Sequence, residues 1–429
     1  MRKELLFAVV FSFSFFLLHN SLQAITLEEA IDIALKNNLR ILLAEEKVKE
    51  AQHRIKGAVA EFFPSLRLNG TYTHFGEVPS ISIPYIGELE MGEQDTTSFS
   101  FSLTQPVYTS GKLSLAYQQA NLNYQKTEED LSAVKKDLIF QVKESFYSVL
   151  LARENLKIAE QALNQAELHL KMVESFYQSG RASRFDLLRA KVEVANLKPN
   201  LIQARNNLNM AKERLASILS ISSSSFEIEG KLKFEPLHLT LNEAIDIALN
   251  NRSDLKSVLL NMKMAMFSLK IARYRNLPVL SLTGNYEFTS PGEANTDWEK
   301  NWSISLVLSF PFFDSGRTKA IIEQEKSRLE QVKLMVNQLE DTITLEVKKA
   351  FWDMQAARET LFAQEKNVQQ AEEALSIAEG RYRNGTITQI EVLDTNLALT
   401  RAKLNYSKAL YDYNLAKAAL IKAMGKLED

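Results

Sequence analysis

The sequence predicts a mainly α-helical chain in which two copies of one unit each carry a pair of membrane-length β-strands between long antiparallel helices. Three observations lead there. The stretch TLEEAIDIALKN at residues 26–37 returns 214 positions later as TLNEAIDIALNN, with ten of twelve residues unchanged. Two segments of more than sixty residues, between Gly111 and Gly180 and between Gly316 and Gly380, contain neither Gly nor Pro. Between the helical stretches the apolar period drops from 3.6 to 2.

The chain begins MRKELLFAVVFSFSFFLLHNSLQA, with two early basic residues, an apolar run from Leu5 to Leu18 and small or neutral residues up to Ala24. This is the pattern of a secretory signal peptide over residues 1–24, cleaved near Ala24. The apolar run is shorter than the roughly 20 residues a membrane-spanning helix needs. No 18-residue apolar stretch follows Ala24. With 429 residues, 45% hydrophobic, a net charge of -2 and no basic patch interleaved with aromatics, a nucleic-acid partner is excluded. The absence of cysteine removes disulfides and a lipid-modified cysteine from consideration.

The repeat gives the domain map. At the offset of 214, Pro64, Leu66, Leu68, Gly70 and Tyr72 match Pro278, Leu280, Leu282, Gly284 and Tyr286. At an offset of 205, QPVYTSGK (105–112) matches FPFFDSGR (310–317), and FYQSGRASRFDLL (176–188) matches RYRNGTITQIEVL (381–393). The missing nine residues lie between Tyr72 and Gln105, where the first copy has a longer loop. The first repeat is placed at 25–220, a connector at 221–239, the second repeat at 240–424 and a tail at 425–429.

Each repeat opens on Thr-x-x-Glu, Thr26 with Glu29 and Thr240 with Glu243, the capping-box signature of a helix start. Apolar residues follow at Ala30, Ile33, Ala34 and at Ala244, Ile247, Ala248, the spacing of a buried stripe. A half-length helix of about 27–62 is expected to run up to Pro64, and its counterpart up to Pro278. The Gly- and Pro-free segments predict long helices at about 113–178 and 317–380, each about 100 Å long at 1.5 Å per residue. Half-length helices at about 183–219 and 387–424 return beside them, the first containing Pro199.

The strands lie in hairpins at about 66–105 and 280–310. Leu66, Leu68, Gly70 and Tyr72 alternate with Arg67, Asn69, Thr71 and Thr73, and Trp302, Ile304, Leu306 and Leu308 alternate with polar residues broken only by Val307. Nine or ten residues per strand suits a membrane-crossing β-strand. A soluble amphipathic sheet would need other sequence to cover its apolar face, and none is nearby. Four strands cannot close a conducting barrel. Two copies would give eight strands and a filled interior, whereas three would give twelve and room for solute. The loops at 76–95 and 290–297 would then face outward, with Trp298 and Trp302 at the interface.

These residues resemble the TolC family of outer-membrane efflux proteins. The resemblance rests on the doubled TLEEAIDIALKN opening, the strand exits QPVYTSGK and FPFFDSGR, and the two Tyr-x-x-Gly turns at Tyr177 and Tyr382, in this order across essentially the whole mature chain. It implies a homotrimer with a twelve-stranded barrel in the outer-membrane lipid and a long periplasmic helical tunnel. It also implies docking to a periplasmic adaptor and an inner-membrane pump of RND, ABC or MFS type. Residues carried over by position are Tyr177, Gly180, Ser183, Tyr382, Gly385 and Thr388 at the adaptor-docking tips, Glu391 and Asp394 at an acidic pore constriction, and Asp186 with Tyr382 as gate contacts. Ile387 stands where some relatives carry an arginine in that gate, so packing and the Tyr382 hydroxyl are expected to hold the mouth.

No cofactor and no enzymatic activity are expected. NMKMAMF (261–267) has thioethers suited to soft metals, but only Met262 and Met266 could share a helix face, and packing explains them. The five histidines are isolated, and no His-Glu-x-x-His, Walker or Gly-x-Ser-x-Gly motif occurs. Two other classes use long exported helices: a periplasmic adaptor and a structural coiled coil. The first would need a flanking biotinyl-like domain, and the second has no use for membrane-length strands.

Overall fold

The computed structural model describes residues 23–78, 80–90, 93–222, 226–290 and 298–427. The expected signal peptide up to residue 22 and most of the 290–297 loop lie outside the described residues. The chain divides into two compact units. The first comprises residues up to Asn38, Leu138–Leu237 and Trp352–Ala419; the second comprises Leu39–Asp137, His238–Phe351 and the residues from Leu420 on.

The elements in chain order are β1 (Gln23–Ile25), α1 (Leu27–Asn37), α2 (Leu39–Ala60), β2 (Ser65–His74), β3 (Ser80–Ile83), β4 (Gly87–Glu90), β5 (Asp95–Tyr108), α3 (Lys112–Gln178), α4 (Arg184–Leu219), β6 (Phe226–Ile228), α5 (Leu241–Asn251), α6 (Ser253–Arg273), β7 (Val279–Ser290), β8 (Glu299–Ser309), α7 (Arg317–Arg383) and α8 (Gln389–Ala423). Helices α3 and α7 have 67 residues each and no break; α3 lies within its segment free of Gly and Pro, and α7 runs past Gly380 to Arg383. Helix α4 accommodates Pro199 in its interior. No helix among the described residues is long and apolar enough to cross a membrane.

In the second unit the sheet order is β2-β5-β7-β8, with all neighbours antiparallel. Residues opposite one another share a face, so the register writes out the chemistry of each side. Leu68, Phe101, Tyr286 and Trp302 form one row across the four strands, and Leu66, Leu103, Gly284 and Ile304 form another. The alternate rows are Arg67, Ser102, Asn285, Ser303 and Ser65, Thr104, Thr283, Ser305. One face is therefore aliphatic and aromatic, and the other is hydroxyl and amide. A further hairpin, β3 with β4, rises from the longer first loop; its period was hidden in sequence by its brevity.

The expected single half-helix is two helices in each repeat. Asn38 leaves α1 in an extended conformation (φ -70, ψ 126), and Arg252 does the same after α5 (φ -62, ψ 118). Neither break carries Gly or Pro, so propensity gave no warning of it. In the first unit β1 pairs in parallel with β6, joining the start of the chain to the connector. The expected cleavage point at Ala24 falls inside β1.

The core of the first unit is a seam along α3. Leu138, Val142, Val149, Ala162, Ala166 and Val173 are buried at the spacing of a coiled-coil face. Ser145 and His169 occupy buried positions on the same seam. Helix α7 enters that unit with Met354, Leu361, Leu375 and Ala378 buried at similar spacing.

Candidate functional site at the two helix turns

Both long helices end on the same turn. Gly180 N–H donates to Tyr177 O (3.0 Å) and Arg181 N–H to Phe176 O (2.7 Å), while Gly385 N–H donates to Tyr382 O (2.9 Å) and Thr386 N–H to Arg381 O (3.0 Å). Gly180 and Gly385 each have φ +72, the left-handed value this helix-ending motif requires and glycine adopts without steric cost. Tyr177, Gly180, Ser183, Gly385 and Thr388 are exposed.

The helices that leave these turns each bring a first-turn carboxylate back to the residue before the helix, and at α4 the bonds complete a capping box. Ser183 Oγ accepts from Asp186 N–H (3.1 Å), and Asp186 Oδ2 accepts from Ser183 N–H (3.0 Å) and Oγ–H (2.7 Å). Glu391 Oε1 accepts from Thr388 N–H and Oγ–H, both at 3.1 Å. Asp186 and Glu391 are thus carboxylates in the first turn of α4 and α8, where they meet unpaired N–H groups and the positive end of the helix dipole. Sequence reasoning noticed this device at Thr26 and Thr240 but not here. The signal was present: Ser183 and Thr388 each stand three residues before an acid. Asp394 lies one turn beyond Glu391, exposed on the same side of α8, with buried Val392 between them.

Tyr382 is the pivot of the site. Its ring lies 5.5 Å from that of His169 and 6.1 Å from that of Phe176, both on α3. Tyr382 and Ile387 pack on the buried cluster Leu375, Ala378 and Val392. Ile387 therefore supplies apolar contact at this turn. Burial pushes the Tyr382 hydroxyl's pKa above its ordinary value, and the charge of Asp186 adds to the rise.

A scan against family models matches residues 30–220 and 244–426 to the outer membrane efflux protein family. The chain belongs to that family. It is accordingly an outer-membrane protein. It is 26% identical over 402 residues to the probable outer membrane lipoprotein SilC of Salmonella typhimurium, covering 90% of this chain and 83% of that one. The pyoverdine export outer membrane protein OpmQ of Pseudomonas putida is 25% identical, with 93% and 85% covered. Among solved structures, the outer membrane protein VceC of Vibrio cholerae superposes with a TM-score of 0.77 at 19% identity, covering 94% of this chain and 97% of that one. The CmeC outer membrane channel of Campylobacter jejuni gives 0.78 at 20% identity, with 94% and 87% covered.

Two buried side chains of this outer membrane efflux protein escaped the sequence reading. His169 is 8% exposed with Nε2 unpaired, and Gln389, the first residue of α8, is 4% exposed with both amide atoms unpaired. Burial lowers the His169 pKa, opposed by the charge of Glu379, which itself accepts from Gln165 Nε2 (2.8 Å). The seam period on α3 already assigns residue 169 to the interior, so its identity was legible as an anomaly. Further from the turns, Arg153 Nη1 donates to Ile228 O (2.7 Å) and Nη2 to Gly230 O, tying α3 to the connector.

Proposed function

We propose that three copies of this outer membrane efflux protein close a twelve-stranded barrel in the outer membrane, their helices forming a periplasmic tunnel that ends at the turns of Gly180 and Gly385. The assembly is a passive exit duct. An inner-membrane pump of RND, ABC or MFS type supplies energy and selects cargo, and a periplasmic adaptor packs against the tips at Tyr177, Gly180, Ser183, Tyr382, Gly385 and Thr388 to open them. Glu391 and Asp394 of three chains form an acidic constriction, and Asp186 and Tyr382 hold the closed mouth. No step requires catalysis or a cofactor.

The observation that carries this reading is the sheet. It has one aliphatic and aromatic face for lipid, one hydroxyl and amide face for water, and two unpaired edges, β2 and β8. Edges cannot remain unpaired in a bilayer, where nothing else satisfies the backbone groups. A periplasmic adaptor or a structural coiled coil has no role for such a sheet. Relatives include a pyoverdine export protein and a cation efflux protein, in keeping with a duct whose cargo is chosen elsewhere. Membrane fractionation with native mass measurement tests the reading: trimers extracted from the outer membrane support it, and recovery only as soluble periplasmic protein sinks it.

A further inference from the structure

The first unit holds a cavity of about 420 Å³ between α3, α4 and α8, away from the turns, caps and gate contacts. Its floor is α3, where Leu151, Ala152, Ile158, Ala159 and Ala162 present apolar side chains, three of them no larger than a methyl group. Leu197 and Ala204 of α4 and Leu404 of α8 form the walls. None of the fifteen lining residues is charged, in a chain that is 24% charged. Helices α4 and α8 run back from the turns against the direction of α3, so Ser148, Asn207 and Tyr411 fall at one end and Asn200 and Thr400 at the other. Ser148 Oγ and Tyr411 Oη lie 3.2 Å apart, and Gln203 Nε2 donates to Asn207 Oδ1 (2.9 Å). Between the ends, Asn155 Oδ1 is shielded from solvent and has no hydrogen-bond partner among the described residues. From Ser148 to Ala162 the floor is about 21 Å long at 1.5 Å per residue. Over that length the cavity has a mean cross-section of about 20 Å², the girth of one hydrocarbon chain or of a flat ring system end-on, whereas a helix about 10 Å across would need about 80 Å².

We propose that this cavity is a binding site for a slender, uncharged amphiphile that carries one N–H or O–H donor. Its size, apolar floor and few neutral polar groups are those of a small-molecule site. An ion entering it would lose hydration and meet no opposite charge, so charged molecules are rejected. The apolar body of the ligand lies along the alanines of α3. Its donor serves Asn155, whose unpaired oxygen costs free energy until a donor reaches it. Asn200, Gln203 and Asn207 are exposed at the mouth and receive the polar part of the molecule. The space exists because Ala152, Ala159, Ala162 and Ala204 are small; a larger side chain at any of them would occupy it. The site stands on the first unit alone and goes beyond the duct reading, since it needs neither a closed barrel nor an acidic constriction.

A matched pair of probes tests both the place and the charge rule. N-phenyl-1-naphthylamine is flat, uncharged and has one N–H; 8-anilinonaphthalene-1-sulfonate is the same framework with a sulfonate added. The chain has no cysteine, so Ala159→Cys and Ala152→Cys each put a single thiol on the cavity floor. In the purified protein, alkylation of either thiol by N-ethylmaleimide should slow saturably with the uncharged probe, by about fivefold when free probe is at four times its dissociation constant. The sulfonate at the same concentration should slow it less than about twofold. Lys366→Cys, at an exposed position of α7 outside the cavity, should react at one rate with either probe or none. Two floor thiols guard against one variant failing to fold. Floor thiols that never react, no slowing at either, equal slowing at residue 366, or equal protection by the sulfonate each overturn the site. None of these outcomes bears on trimer formation or outer-membrane recovery, so the site can fail while the duct reading stands.

Discussion

Asn38 Nδ2 donates to Ile218 O at 2.9 Å, and the same bond recurs in the second repeat, where Arg252 Nη1 donates to Ala423 O at 3.4 Å. At each break between half-helices, a side chain reaches a last-turn carbonyl of the helix that closes its own repeat. Those helices end alike, on left-handed Ser220 (φ 56) and Gly425 (φ 72). This is why TLEEAIDIALKN and TLNEAIDIALNN are repeated: each phrase delivers a cap on α1 or α5 and then a break that locks the repeat shut. Arg252 does more than Asn38, since it also holds Asp254 (2.6 Å) and Glu346 (2.7 Å).

Gly425→Ala should destabilise the second unit while Ser220→Gly does not harm the first. A Cβ at residue 425 would meet Arg252 N and Asn251 C at 2.9 Å, both backbone atoms that cannot step aside, in a backbone conformation side chains rarely adopt. The expected cost is about 1–3 kcal/mol, read as a lowered thermal midpoint in detergent. Ser220→Gly removes a left-handed non-glycine residue and should leave the midpoint unchanged or raise it slightly.

The proposed acidic constriction and the helix caps can be separated by choice of substitution. Glu391→Gln keeps an oxygen to accept from Thr388 N–H, and Asp394→Asn touches no cap. Together they should lower cation-over-anion preference by roughly an order of magnitude with at most a small loss of thermal stability from the weaker helix-dipole contact of residue 391, because removing fixed charge relaxes the local counter-ion excess. Unchanged reversal potentials in a salt gradient would remove these residues from the constriction.

Ser183→Ala should weaken a tip helix by about 1 kcal/mol, visible as faster backbone hydrogen exchange in the first turn of α4. Exchange rates unaltered there would mean that the cap does not stabilise the tip.

The Tyr382 ring packs against His169 and Phe176, so under the proposed gate Tyr382→Phe should leave closed-state conductance near that of the parent and Tyr382→Ala should raise it. Loss of closure in the phenylalanine variant would instead assign the hold to the hydroxyl.

The tip should loosen in mild acid. His169 faces Tyr382 and Glu379 of α7, and burial keeps its pKa below the ordinary value of about 6.5. The packed tip binds this proton less readily than an opened one, so packing is at full strength above that value. It weakens as pH falls from there towards the lowered pKa. Amide protection near residue 169, corrected for the intrinsic pH dependence of exchange, should fall over this window in the parent but not in His169→Gln; the same pH response in both would contradict it.

The long helices, the strand alternation and the two start signals were legible because each is a local pattern: composition, period 2, and Thr-x-x-Glu. The break at Asn38 was not, because nothing in LKNNLR opposes helix and the carbonyl that receives the Asn38 side chain is 180 positions away. The β1–β6 ladder is equally non-local and only three pairs long. At the tips, Gly180 and Gly385 announced the turns, while the capping roles of Asp186 and Glu391 lay beneath a more conspicuous acidic pattern. His169 and Gln389 were missed because a buried polar residue is visible only once the seam on which it sits is known.

The most direct test of the account is the conductance of the purified, full-length trimer in planar bilayers. Discrete, long-lived, weakly cation-preferring steps that grow when Tyr382 is replaced by Ala are expected. A folded trimer that inserts and conducts nothing in either form would contradict it.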